Sequence, residues 1–222
     1  WIWYIGEGYP LGSMYGWLDC GLFQSEEQVK SYPVWHPETG PGDICYVDLN
    51  NDGVIDDKDK TVIGSDEPRY LLGVNLSASY KNIDVSAFFQ GVLKVNVFTN
   101  GALVEGPYWE NYTITEWYDV WTPDNPDGKM PAPRFRRTYN HQASTFWVRD
   151  ASYIKLKNLQ IGYTLPESLV NRWGISRMRI YLSGQNVLTF TKYPYLDPEV
   201  PSGRGTVYPQ VRTFSLGITV NF

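Results

Sequence analysis

The chain has 222 residues, 19 Lys+Arg against 24 Asp+Glu and a formal charge of −5, with mean hydropathy −0.35 and a pI near 5.1. Aromatic content of 16% beside only 19% charged residues excludes a disordered chain, and an acidic balance without a Lys/Arg stripe argues against nucleic acid as a partner. No apolar run reaches the roughly eighteen residues that a transmembrane helix needs, and the Gly, Pro and aromatic content favours strands and turns.

Residues 1–69 read as a loop-rich segment. Cys20 and Cys45 are the only cysteines. Neither sits in a CxxC pair, so metal-ligand spacing is absent. An oxidising compartment would permit a disulfide, but two isolated thiols are the simpler expectation. Further on, Asp48, Asn50, Asp52, Asp56 and Asp59 fall at positions 1, 3, 5, 9 and 12 of a calcium-binding loop. Gly53 stands at position 6, and Val54 supplies a backbone carbonyl at position 7. Calcium needs six to eight hard oxygens around one point, and the glycine lets the chain curl tightly enough to offer them. This spacing favours a structural calcium over a solvated Asn-Asp-Gly turn. Asp59, shorter than the usual Glu, would bind weakly. The flanks are not two amphipathic helices, so a calmodulin-like protein is not expected.

Residues 70–222 carry the strands. Over 70–80, Leu72, Val74, Leu76, Ala78 and Tyr80 alternate with Gly73, Asn75, Ser77 and Ser79, the period of a strand with one apolar face. After a short turn at Lys81-Asn82 the alternation resumes over 83–91. The long connection 92–149 crowds Tyr108, Trp109, Tyr112, Trp117 and Trp121. Their rings could stack on sugars as substrate contacts, although packing is the commoner use of loop aromatics. Arg134, Arg136 and Arg137 read as a solvated edge. Over 152–165, Ile154 and Leu156 give way to Leu159, Ile161 and Tyr163, a phase switch that predicts a β-bulge near Lys157-Asn158. Lys155 and Lys157 are expected at the polar face. A strand over 177–188, a loop over 190–211 and a last strand over 212–222 complete the chain.

The polar faces carry Ser, Thr, Asn, Gln and Gly rather than Lys and Glu, and strands of about eleven residues suit a tilted crossing of a bilayer. Short links alternate with long ones. Long loops are uncommon in compact soluble domains and ordinary in outer-membrane barrels, whose turns are short on one side and long on the other. The fold class is therefore all-β, part of a large antiparallel transmembrane β-barrel with long extracellular loops. The alternative is a secreted, calcium-containing β-sandwich that binds carbohydrate. His36 and His141 stand alone, and no GxSxG, phosphate loop or HExxH motif occurs. An enzyme is not expected.

Several stretches resemble the SusC/RagA-type TonB-dependent outer-membrane transporters. They are Gly8-Tyr-Pro-Leu-Gly12, Tyr15-Gly16, Gly42-Asp-Ile-Cys-Tyr-Val-Asp48 with the acidic loop after it, Ser86-Ala-Phe-Phe-Gln-Gly91 and Trp121-Thr-Pro-Asp-Asn125. Ser144 to Asp150, Ala151 to Pro166, Arg179 to Tyr193, Asp197-Pro-Glu199 and Tyr208 to Phe222 continue the pattern to the end. The resemblance implies the C-terminal portion of a 22-stranded barrel in the outer membrane of a Gram-negative cell, the plug and earlier strands lying elsewhere. It implies import of an oligosaccharide or peptide together with a SusD-like surface lipoprotein, energised through TonB, with outer-membrane lipid around the wall. Phe222 resembles the terminal aromatic by which such barrels are recognised for insertion.

Overall fold

The computed structural model describes residues 2–105, 115–195, 197–200, 203–204 and 207–222. Its strands are β1 Ser13–Trp17, β2 Asp19–Leu22, β3 Ile44–Tyr46, β4 Lys60–Ser65, β5 Tyr70–Tyr80, β6 Ile83–Leu93, β7 Asn96–Phe98, β8 Val148–Asp150, β9 Tyr153–Thr164, β10 Arg177–Thr191 and β11 Thr213–Asn221. Two compact units result. The loop unit comprises residues 1–67, 95–150 and 201–207, and the sheet unit residues 68–94, 151–200 and 208–222. This division is not a linear one at 69/70, because the stretch 95–150 packs with 1–67.

In the sheet unit β5, β6, β9, β10 and β11 form one antiparallel sheet in the order β11-β10-β9-β6-β5. The strands are 11, 11, 12, 15 and 9 residues long. Register makes the alternation of each strand coincide with that of its neighbour. Leu76 faces Ala87, Ala87 faces Leu159, Leu159 faces Gly184 and Gly184 faces Phe214, so a single apolar face runs across all five strands. That face is bare: Leu76 is 56%, Leu182 51%, Leu216 73% and Ile218 57% exposed. Soluble domains avoid a contiguous apolar surface of this kind; a lipid-facing wall requires it. The other sheets among the described residues are the pairs β1-β4, β2-β3 and β7-β8. Each is a pair of short strands.

The phase switch in β9 is a bulge. Phe88 pairs with Asn158 and Phe89 with Leu156, which leaves Lys157 without an opposite residue on β6. On the other side Gln185 pairs with Asn158 and Leu188 with Leu156, and Asn186 takes up the slack with φ +53°. The extra residue keeps both Leu156 and Leu159 on the apolar face, as an inserted residue must when it resets a period of two.

One ion pair braces the polar face near the short turns. Arg179 on β10 reaches over β9 to Asp84 on β6, its Nε donating to the carboxylate at 2.9 Å and its Nη2 forming a second bond. The guanidinium crosses at Gly162, where a Cβ would collide with it. Gly162→Ala is therefore expected to push Arg179 off Asp84 and to destabilise the sheet unit by about 1–3 kcal/mol. A double-mutant cycle with Asp84→Asn checks this by thermal melting, because losses through one shared contact do not add.

The loop unit has a core of its own, built from Trp17, Ile44, Tyr46, Ile55, Val104, Trp117, Met130 and Trp147. Buried tryptophans need a partner for the indole N–H, and each finds a backbone carbonyl. Trp17 donates to Asp56 O at 2.9 Å, Trp117 to Leu103 O at 3.1 Å and Trp147 to Asn140 O at 2.7 Å. These bonds fix long, non-periodic segments onto one cluster. A smaller cluster of Ile2, Met14 and Ile63 lies under β1 and β4.

Cys20 and Cys45 form a disulfide with Cα atoms 5.2 Å apart, which overturns the expectation of two isolated thiols. The physical reason is the β2–β3 ladder. Asp19 pairs with Tyr46 and Leu22 with Ile44, which brings the two cysteines to bridging distance.

Candidate functional site

Three constellations carry chemistry. The first is the acidic loop. Asp48 accepts hydrogen bonds from the N–H groups of Asp52 (3.2 Å) and Gly53 (2.9 Å), Asn50 from that of Asp52 (2.8 Å), and Asp52 from that of Val54 (3.0 Å). Asx turns of this kind curl the chain, and Gly53 completes the curl at φ +83°. Asp56 caps the helical turn Asp57–Asp59. Asp59 is fully buried and accepts the N–H groups of Leu49, Asn50 and Asp56 at 2.9, 3.3 and 2.8 Å. Burial works against its charge, but these bonds hold the carboxyl below its usual range. Lys58 Nζ lies 3.8 Å from Asp52 and 3.3 Å from Asp56, so a cation already sits between two of the spaced carboxylates. Among the described residues, no group of three or more His, Cys, Asp or Glu side chains gathers at metal-holding distance. The backbone thus curls back at Gly53, while the loop's side-chain oxygens are turned onto N–H groups.

The second constellation is aromatic. Trp117 and Trp121 are each only 8% exposed. Trp117 belongs to the loop-unit core, and Trp121 donates its indole N–H to Gln24 Oε1 at 2.8 Å. Both are packing residues, and the expectation that they present faces to a substrate is corrected. Tyr108, Trp109 and Tyr112 lie outside the described residues. Arg134 is likewise no solvated edge. Its Nε donates to the fully buried Asp43 at 2.9 Å, and Asn140 Nδ2 donates to the same oxygen at 2.8 Å. Burial keeps the His141 imidazole neutral, with a pKa of about 4, and His36 stacks on Tyr139 at 5.0 Å.

The third is an ionic cluster on the polar side of β9. Lys155 is buried at 1% exposure. Its ammonium donates to both oxygens of Asp197 (2.9 and 3.2 Å) and to Glu199 (2.8 Å). Lys157, the bulge residue, donates to both oxygens of Glu199 at 2.6 and 2.8 Å. Asp197 also accepts the N–H of Glu199 at 3.0 Å and that of Gln210 at 3.3 Å. Burial opposes the charge on Asp197 and Glu199. The N–H bonds and the two lysines outweigh it and hold both carboxyls below their usual range. Two cations and two anions thus tie both ends of the 197–210 connection to β9. The sequence places the lysines on the polar face, but their partners stand more than forty residues away (|i−j| = 42 and 44), beyond any local pattern.

Further along the polar face an open concavity of ≈ 590 Å³ is lined by uncharged donors and acceptors such as Asn75, Ser77, Ser86, Asn158, Gln160 and Gln185. Phe222 follows β11 and is 92% exposed, in phase with Ile218 and Val220 on the apolar face.

The chain and its fold have counterparts among known proteins. No family model matches the chain. Over 98% of its length it is 33% identical to TonB-dependent receptor P3 and 29% identical to TonB-dependent receptor P26, both of Formosa agariphila. Over 86% it is 28% identical to TonB-dependent receptor SusC of Bacteroides thetaiotaomicron. The chain spans 23% of the length of each Formosa receptor and 19% of SusC. A solved structure of the RagAB peptide transporter superposes with a TM-score of 0.72 over 97% of this chain and 23% of that one, at 25% identity. The chain is thus similar to one segment of proteins named TonB-dependent receptors. Its similarity to SusC and to the RagAB transporter runs over most of its length.

Proposed function

We propose that the chain forms the C-terminal portion of a 22-stranded outer-membrane barrel that imports a nutrient, an oligosaccharide or a peptide, with energy drawn through TonB. The observation that carries this reading is the five-stranded sheet, whose one continuous face is apolar and exposed while its other face is polar, with the charges of Asp84, Lys155, Lys157 and Arg179 held in ion pairs. The apolar face meets lipid and the polar face lines the lumen. A SusD-like surface lipoprotein is the expected partner on the loop side. Transport rather than catalysis is the activity, in keeping with similar proteins that are receptors and transporters. The test is fractionation and uptake with the full-length parent. It should need detergent for extraction from outer membranes and should stop accumulating labelled oligosaccharide or peptide when TonB is removed. Stable solubility of the parent without detergent would sink the reading.

The acidic loop is proposed to hold a structural calcium through Asp48, Asn50, Asp52, Asp56, Asp59 and the carbonyl of Val54. The curl at Gly53 and the spacing of the oxygen-bearing side chains along the loop support this. Binding to the folded form alone raises stability with ligand concentration, by about 2.7 kcal/mol at a hundredfold excess over Kd. Millimolar calcium is therefore expected to raise the melting temperature of the full-length protein, and Asp52→Ala to abolish the rise. A melting curve indifferent to calcium and chelator would leave Lys58 as the resident cation.

A further inference from the structure

Residues 2–15 build a hairpin that lends Ile2 and Met14 to the smaller core but leaves an aromatic surface exposed. Tyr4 N–H donates to Ser13 O at 2.9 Å and Tyr15 N–H to Ile2 O at 2.7 Å, which pairs the two arms. On one face Tyr4 stacks on Tyr15 with ring centroids 4.9 Å apart and meets Tyr9 edge-on at 4.8 Å. On the other, Trp3 is held by its indole N–H, which donates to Asp66 Oδ2 at 2.6 Å. These rings stay wet: Trp3 is 52% and Tyr9 46% exposed, and Ile5 and Leu11 beside them are 87% and 77% exposed. Tyr4, Tyr9 and Tyr15 belong to neither core cluster.

The rim is acidic. Asp66 and Glu67 lie against Gly12, which at φ +73° leaves no room for a side chain of its own. Glu7 is exposed at the tip, and no Lys or Arg precedes Lys30 in the chain. Lys60 at the nearby β4 is occupied by Asp57 at 2.7 Å.

Rigid Trp and Tyr side chains held in solvent, with aliphatic neighbours, are the composition of an interface hot spot. The acidic rim selects among occupants. It repels the anionic headgroups of a membrane surface and attracts a basic protein surface, the complementarity that steers association and fixes register. We infer that this hairpin is the docking surface for a protein partner that presents an apolar socket rimmed by Lys and Arg. The inference rests on the proposed pairing with a surface lipoprotein and assigns to that pairing a specific contact.

The experiment measures affinity between the detergent-solubilised full-length receptor and its purified SusD-like lipoprotein. Tyr9→Ser/Leu11→Ser removes exposed apolar groups, and Glu7→Lys/Glu67→Lys reverses the rim. The first variant is expected to bind at least about tenfold more weakly, as truncation of interface anchors does. The second should also weaken binding and flatten its dependence on salt. Unchanged melting temperatures in both variants exclude misfolding as the cause. Wild-type affinity in both variants overturns the inference while leaving the importer reading intact. So does a loss confined to maltooligosaccharide binding or to partition into anionic vesicles. Absence of lipoprotein binding by the wild type overturns the inference together with the proposed pairing.

Discussion

Lys155→Met is expected to free the 197–210 connection from β9 and to produce the largest loss in the sheet unit. Methionine nearly matches lysine in volume, so packing survives while the charge disappears. Asp197 then keeps the N–H bonds of Glu199 and Gln210 but loses both contacts to the ammonium, and Glu199 keeps only Lys157. Removing one partner of a buried ion pair leaves the other charge desolvated and uncompensated, which costs about 3–5 kcal/mol. The intact cluster contributes much less than that figure, because desolvation offsets most of its Coulomb attraction. A combined Lys155→Met/Asp197→Asn variant should therefore recover part of the loss. Limited proteolysis of the full-length protein at 197–210, with thermal melting, reads both variants. Equal protease resistance in wild type and Lys155→Met would show that the cluster does not hold this connection. The pH dependence has a definite sign. Asp197 and Glu199 are depressed in the folded state, so their contribution is complete above the ordinary carboxylate range. It fades as pH falls through the folded values, when the unfolded chain binds protons first. Resistance at 197–210 is thus expected to be flat from neutral pH to about 5 and to drop below about 4.

Much of the sheet is legible in the sequence because a period of two is a local signal with one physical cause. Leu72 to Tyr80 alternate because successive side chains leave a strand on opposite faces, and no distant residue is needed to see it. The bulge is legible for the same reason: Lys157 resets the phase between Leu156 and Leu159, and only an extra residue does that. The loop unit is a different case. Trp117 and Trp121 look identical to substrate-stacking aromatics until burial is known, and burial there is decided by Leu103 and Gln24, whose segments have no periodicity. Arg134 resembles a solvated cation beside Arg136 and Arg137, and only its pairing with Asp43, ninety-one residues distant, shows otherwise. The acidic loop is intermediate. Its curl follows from Asn50, Asp52 and Gly53 within a few residues, whereas the direction of each carboxylate depends on Lys58 and on the buried position of Asp59.

The disulfide illustrates the same limit and yields the second large effect. Spacing alone cannot pair Cys20 with Cys45. What pairs them is a ladder of only two registered pairs, Asp19 with Tyr46 and Leu22 with Ile44, too short to hold by itself. The cross-link closes a separation of 25 residues, and constraint of an unfolded loop of that length is worth about 3.5 kcal/mol in the chain-entropy account. The enclosed segment needs it, because its helix Glu26–Ser31 buries no residue. Beyond the bridge, β3 delivers Ile44 and Tyr46 to the tryptophan cluster, where Tyr46 donates to Tyr139 O at 2.9 Å. Losing the bridge therefore loosens the core as well as the loop. Cys20→Ser/Cys45→Ser is expected to lower the stability of the loop unit by about 3 kcal/mol and to open residues 25–41 to protease. The five-stranded sheet, which shares no residue with this ladder, keeps its melting behaviour. Reductant applied to the wild type should reproduce the pattern, and thiol labelling of the unfolded, unreduced protein should find no free cysteine. Labelling of both cysteines in protein taken directly from cells would refute the bridge and return the segment to the two-thiol state that its spacing alone suggests.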